Sequence, residues 1–203
     1  VIVTVEDMMR IEPCDIANGN IFLQPEEIEK FVAWLSLKEN DIRYKAFLLL
    51  QEQSKIDNSV YPFWDVFRKM LKNENSYQRS LGAMMLAENV QWDVELKMRD
   101  TISEYLELLF DPKPVTIRQC IQSLNVIVQK EKIYNGKITD AICGFEIMEI
   151  RESMRKLILL DIIYVLLEIK KSDNTSLINN FIFEALSGEI LDIKSKKAIE
   201  QQL

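Results

Sequence analysis

Four arginines recur along this chain, Arg43, Arg79, Arg118 and Arg155, at intervals of 36, 39 and 37 residues. A guanidinium is a planar fork of donors suited to carboxylates, phosphates and carbonyl oxygens. A regular row of them has two uses. In one, each arginine bonds the carbonyls of the turn before it, or an Asp or Asn side chain such as Asp41 or Asn75, and fixes the angle between neighbouring units. In the other, the row lines one face and grips an acidic partner or phosphates.

Other chemistry is sparse. Histidine is absent, which removes the commonest general base and metal ligand. Cys14, Cys120 and Cys143 are too few and too dispersed for a zinc site or a disulfide framework. Cys120 and Cys143 sit in apolar surroundings and read as buried thiols. Glu26 and Glu27 complement a helix dipole, while Glu104 and Glu107 share one solvated helix face. There is no nucleophile–base pair, Gly-rich phosphate loop or metal-ligand spacing. No catalytic, cofactor or metal residue is therefore expected. Trp64-Asp65 and Trp92-Asp93 are not propeller signatures, because their flanks have helical period. Trp64 reads as core. Trp92, at the expected start of a helix, is a candidate surface aromatic or packs between repeats.

The elements that must position these residues are helices. Gly and Pro are scarce, at five each, which disfavours a turn-rich β-sandwich. Gln24-Pro25-Glu26-Glu27 reads as a helix start, followed by the stripe Ile28, Phe31, Val32, Leu35. Asn40-Asp41 offers a cap for a second helix carrying Ile42, Ala46, Leu49 and Leu50. A second pair follows Asp57-Asn58-Ser59, with Ser76 as the N-cap of its second helix. Gly82 and Ala83 are small where a neighbour packs closely. Trp92-Asp93 opens a third pair, interrupted at Asp111-Pro112-Lys113-Pro114, because the residue before a proline leaves helical geometry. Asn135-Gly136 marks another turn before a short helix. The segment Met154 to Ile169 is apolar nearly all round, as a central helix is. One more helix around Ile178 to Leu186 and a polar last one from Ser195 to Leu203 complete the chain. Residues 1–23 are expected to be irregular or to hold a short strand at Val1–Val5, with residues 24–203 as a single repeat domain.

Aligned on the arginines, the second helices share a pattern. Small or apolar residues stand three and four places on, as in Ala46-Phe47, Gly82-Ala83 and Ile158-Leu159, with a leucine-like residue at seven. Gln122 and Asn125 depart from it in the third repeat. A period near forty is the mark of stacked helix pairs. The pattern resembles the second helix of a HEAT or armadillo-like repeat over about residues 25 to 170. Asn75-Ser-Tyr-Gln-Arg79, Ala87 to Asp93 and Lys113 to Cys120 are similar to an uncharacterised bacterial family of small HEAT-like proteins. Some of its members carry a label taken from the Suf iron–sulfur assembly proteins. The Suf scaffolds are β-helical, whereas this chain reads as helical and has no cluster-ligand motif.

The resemblance implies an all-α, right-handed α-α superhelix of about four to five HEAT-like helix pairs. It implies a non-catalytic scaffold or adaptor that receives a protein or peptide on its concave helical face. The alternative is a DNA-binding HEAT-like enzyme of the alkylated-base glycosylase type, for which Trp64, Asp65, Trp92 and Asp93 are candidates. A formal charge of −7 argues against nucleic acid, since such binding needs a basic field. A helper in metal or cofactor assembly would need its cysteines exposed and clustered. Lys194, Lys196 and Lys197 read as a solvated basic run. The most apolar stretch, Leu157 to Ile169, has 13 residues and contains Asp161, against about 20 needed to span a bilayer. No signal peptide is visible and the chain opens without Met, so a cytoplasmic location is expected and the true N-terminus is left open.

Overall fold

The computed structural model describes residues 4–203. The fold is all-α, with no strand among the described residues. The helices are α1 (Val5–Arg10), α2 (Pro13–Ala17), α3 (Pro25–Trp34), α4 (Asn40–Ile56), α5 (Trp64–Met70), α6 (Ser76–Asn89), α7 (Lys97–Leu106), α8 (Pro114–Lys130), α9 (Asn135–Cys143), α10 (Glu152–Lys170), α11 (Ser176–Ser187) and α12 (Ile193–Glu200). From α3 onward the ten helices make five consecutive pairs in chain order, of which α3–α4, α5–α6 and α9–α10 pack on one another.

The N-terminal segment corrects the expectation of an irregular or strand-like run. Residues 1–3 lie outside the described residues, but Val5 already belongs to α1. Thr4 and Asp7 form a reciprocal capping box, and Glu12 and Asp15 form another at α2. Both boxes serve the helix starts, because four orphan N–H groups at each start need acceptors.

Capping sets the other boundaries. Gln24 and Glu27 box the start of α3, with Pro25 in the first turn. Asn75, not Ser76, caps α6 by accepting from the Tyr77 N–H. Glu39, not Asn40, precedes α4. Asn135-Gly136 does not break the chain; it opens α9, directly after a 3-10 turn over Lys132–Tyr134. Trp92 ends a 3-10 turn, and α7 begins only at Lys97.

The chain divides into two compact units, the first reaching Ile102 and the second starting at Ser103. In the first, α4 packs against α1, α2, α3 and α6, and α5 covers α6. Phe31, Leu49, Leu50, Trp64, Phe67 and Met85 are among its fully covered large side chains. Each such aromatic or aliphatic side chain contributes about 1.5–3 kcal/mol on burial. In the second, α10 packs against α8, α9 and α11. Ile158, Ile162, Ile163, Val165 and Leu166 are buried along it, the signature of a helix wrapped on most sides.

Candidate functional site

Arg43, Arg79 and Arg155 each stand at the fourth residue of the second helix of a pair. Side chains on a helix lean toward its N-terminus, so this position aims a long cation back over the preceding turn. Arg79 Nη1 donates to the carbonyls of Asn73 at 2.7 Å and Glu74 at 2.9 Å. Arg155 donates through Nε to Ile150 O at 2.7 Å and through Nη2 to Met148 O at 2.9 Å. Arg43 donates to Leu37 O at 3.2 Å and to the Asn40 side chain. Arg43 is 6% exposed, and its guanidinium carbon lies 4.2 Å from the centre of the Tyr77 ring on α6. That cation–π contact partly offsets the desolvation of a buried charge whose Nε has no acceptor.

Arg118 is the exception. It stands at the fifth residue of α8, one place deeper in its helix. One residue turns a side chain by about 100° and moves it about 1.5 Å along the axis. Arg118 therefore misses the turn and pairs with Asp161 of α10, with Nε at 2.6 Å and Nη2 at 3.3 Å from its two oxygens. That hydrogen bond raises the guanidinium's pKa above its ordinary value, against the opposing effect of burial. Gln122 Nε2 adds a third donor to Asp161 at 3.1 Å, which gives a role to a residue that breaks the repeat pattern. The turn before α8 is held without the arginine, because Asp111 Oδ1 accepts from the Lys113 N–H at 2.8 Å.

The last pair holds a member that the arginine spacing did not reveal. Lys196 is the fourth residue of α12, and its Nζ donates to Gly188 O at 2.8 Å. It stood in the sequence as part of a basic run, hidden because the residue type changed from Arg to Lys. The signal was present in its distance from Arg155, which continues the period.

The aromatic–acid dipeptides serve the fold. Trp64 is fully buried and donates to Thr101 Oγ1 at 3.1 Å. Asp65 is exposed and stands about 100° around α5 from Trp64. Trp92 is half-buried, and its Nε1 donates to Ser54 O at 2.7 Å, where Gln91 also donates at 2.9 Å. These bonds satisfy a carbonyl at the end of α4. Asp93 accepts from the N–H groups of Lys97 and Met98 and from the Tyr61 hydroxyl, so it caps α7. Burial, and then that bond to Asp93, push the Tyr61 pKa up.

The thiols are dispersed. Cys14 is exposed, Cys143 half-buried and Cys120 buried. Burial pushes the Cys120 pKa up, and burial with Asp140 nearby pushes Cys143 up to about 11. Neither is a ready nucleophile at neutral pH. Among the described residues, no group of three or more acidic, Cys or His side chains converges on a metal position. No helix among them is long and apolar enough to cross a membrane.

The exposed surface that stands out lies in the second unit. The connection from α9 to α10, Phe145-Glu146-Ile147-Met148-Glu149-Ile150, lines three separate hollows. One of about 290 Å³ has Leu109, Phe110, Ile117, Phe145 and Ile150 as apolar walls, with Asp111, Glu146 and Glu149 as its charged residues. Phe110 is 80% exposed and Met148 61%. The other two hollows hold about 190 and 400 Å³, and Ile190 lines both. Sequence reasoning passed over this edge. Its signal was bulky apolar residues interleaved with glutamates in a segment too short to bury them. No protein family, curated protein or solved structure matches the chain.

Proposed function

We propose that the chain is a non-catalytic protein-interaction scaffold built from HEAT-like helix pairs, stacked as a right-handed superhelix and binding a protein or peptide. One observation carries this reading: in four of the five pairs a cation at the fourth residue of the second helix bonds the carbonyls of the turn before it. Such recurrence suits a repeat architecture, in which each unit is held by its own turn and by its neighbours. Since those cations are engaged, recognition falls to other exposed side chains. Tyr44 on α4 and Leu157 and Tyr164 on α10 are of the right kind for the helical face, and the turn edge of the second unit offers a further surface.

The glycosylase reading is disfavoured by the same geometry. A base-stacking aromatic must be open to its substrate, but Trp64 is covered, and Asp93 is engaged as a helix cap.

The test is affinity capture from a native cell extract with the folded chain and with a heat-unfolded control. A defined protein retained saturably by the folded chain alone supports the scaffold. Enrichment of nucleic acid without protein contradicts it.

A further inference from the structure

We propose that the turn edge of the second unit is a docking site for a basic segment of a partner protein, anchored by one bulky apolar side chain. This rests on the scaffold reading and names the partner's chemistry.

The hollow between the α7–α8 and α9–α10 connections holds about 290 Å³. That volume suits a single large side chain and is too small for a folded face. Its apolar walls call for a Leu, Met or Phe. Its charged residues are all acidic, and no Lys or Arg lines it. Glu146 and Glu149 are exposed and make no ion pair or side-chain hydrogen bond among the described residues. The adjoining hollow beside Met148 adds Glu152 and Glu189. Its two cations are already engaged, Arg155 by the carbonyls of Met148 and Ile150, and Lys156 by Asp192. Among the residues lining these two hollows the uncommitted charge is negative, from Glu146, Glu149, Glu152 and Glu189; the exposed cations Lys113 and Arg151 stand beside the hollows and line neither.

The occupant follows from that sign. Charges separated by more than about 8 Å are screened at physiological salt, so the rim acts on cations seated beside the anchor. A segment with Lys or Arg flanking the apolar residue fits both parts. Nucleic acid and anionic membrane surfaces are repelled. Phe110 has no role in the core, and its exposure is explained if the partner covers it.

The experiment selects random 12-residue peptides by phage display on the immobilised full-length chain. Each peptide is then measured by fluorescence anisotropy on wild type, on Phe110→Ala, and on the double variant Glu146→Lys, Glu149→Lys. All three positions are exposed, and thermal melts check that the variants are folded. The expected result is basic peptides with a bulky apolar residue, weakened at least tenfold by either variant and by raising salt from 50 to 500 mM. Selection of acidic peptides, or basic peptides that bind all forms equally, overturns the edge proposal and leaves the scaffold reading standing. Failure to select any peptide also overturns the edge proposal. If the affinity capture then retains no protein, the scaffold reading falls with it.

Discussion

Lys196 Nζ donates to the carbonyl of Gly188 at 2.8 Å, the same service that Arg155 performs for Met148 and Ile150 one pair earlier. The ammonium has a single nitrogen where the guanidinium has three, so the last turn is held by one bond rather than two. The cation's place at the fourth helical residue persists although the residue type changes.

Lys196→Met is expected to destabilise the last pair by about 1 kcal/mol, the scale of one hydrogen bond from a charged donor with partial exposure. Lys194→Met and Lys197→Met, at exposed positions, are expected to change it by less than about 0.5 kcal/mol. Hydrogen exchange across residues 188–200 reads the difference. Equal effects at all three would return Lys196 to a general basic run.

The Arg118–Asp161 pair ties α8 to α10, with side chains 28% and 11% exposed. A double-mutant cycle with Arg118→Ala and Asp161→Ala is expected to give a coupling of about 1–2 kcal/mol, between the values for exposed and buried pairs. The coupling should weaken in 1 M salt. A coupling near zero would mean that the pair is incidental to the packing of the two helices.

Gly82 is required by a close approach. A Cβ there would lie 2.7 Å from the Phe67 carbonyl and 2.8 Å from Met70 Cβ. Alanine gains about 1 kcal/mol of helix propensity over glycine, but overpacking against backbone costs about 1–3 kcal/mol or more. Gly82→Ala is therefore expected to lower stability by roughly 1–2 kcal/mol in urea denaturation. A stabilised variant would show that α5 can move away from α6 freely.

The thiols should separate by exposure and pH. Iodoacetamide at pH 8 is expected to label Cys14, spare Cys143, and reach Cys120 only after unfolding. Since Cys143 is pushed up to about 11, its labelling should rise steeply between pH 9 and 11, as the thiolate forms. Fast labelling of Cys143 at pH 8 would mean that its helix end opens readily.

Helix content and most pair boundaries were legible because apolar residues at 3.6 spacing and capping residues act locally, as at Gln24-Pro25 and Asp111 to Pro114. The fate of each guanidinium was not. Arg43 and Arg118 look alike in sequence, yet one reaches a turn and the other a neighbouring helix. The difference is a single residue of helix register, finer than boundaries can be read from sequence. The same limit moved the cap of α6 from Ser76 to Asn75. Asp93 was visible as a helix opener, but its bonds lie four and five residues on, so Trp92 falls outside α7 and against Ser54. The apolar turn edge escaped because helical periodicity says nothing about residues between helices.

The central claim is that the recurring cations hold turns and do not grip a partner. The direct measurement is urea unfolding of Arg79→Ala and Arg155→Ala beside affinity capture by the same variants under folding conditions. The account predicts a loss of about 1–2 kcal/mol in each, with the captured protein retained. Unchanged stability together with loss of that protein would contradict it and make the arginines the binding surface.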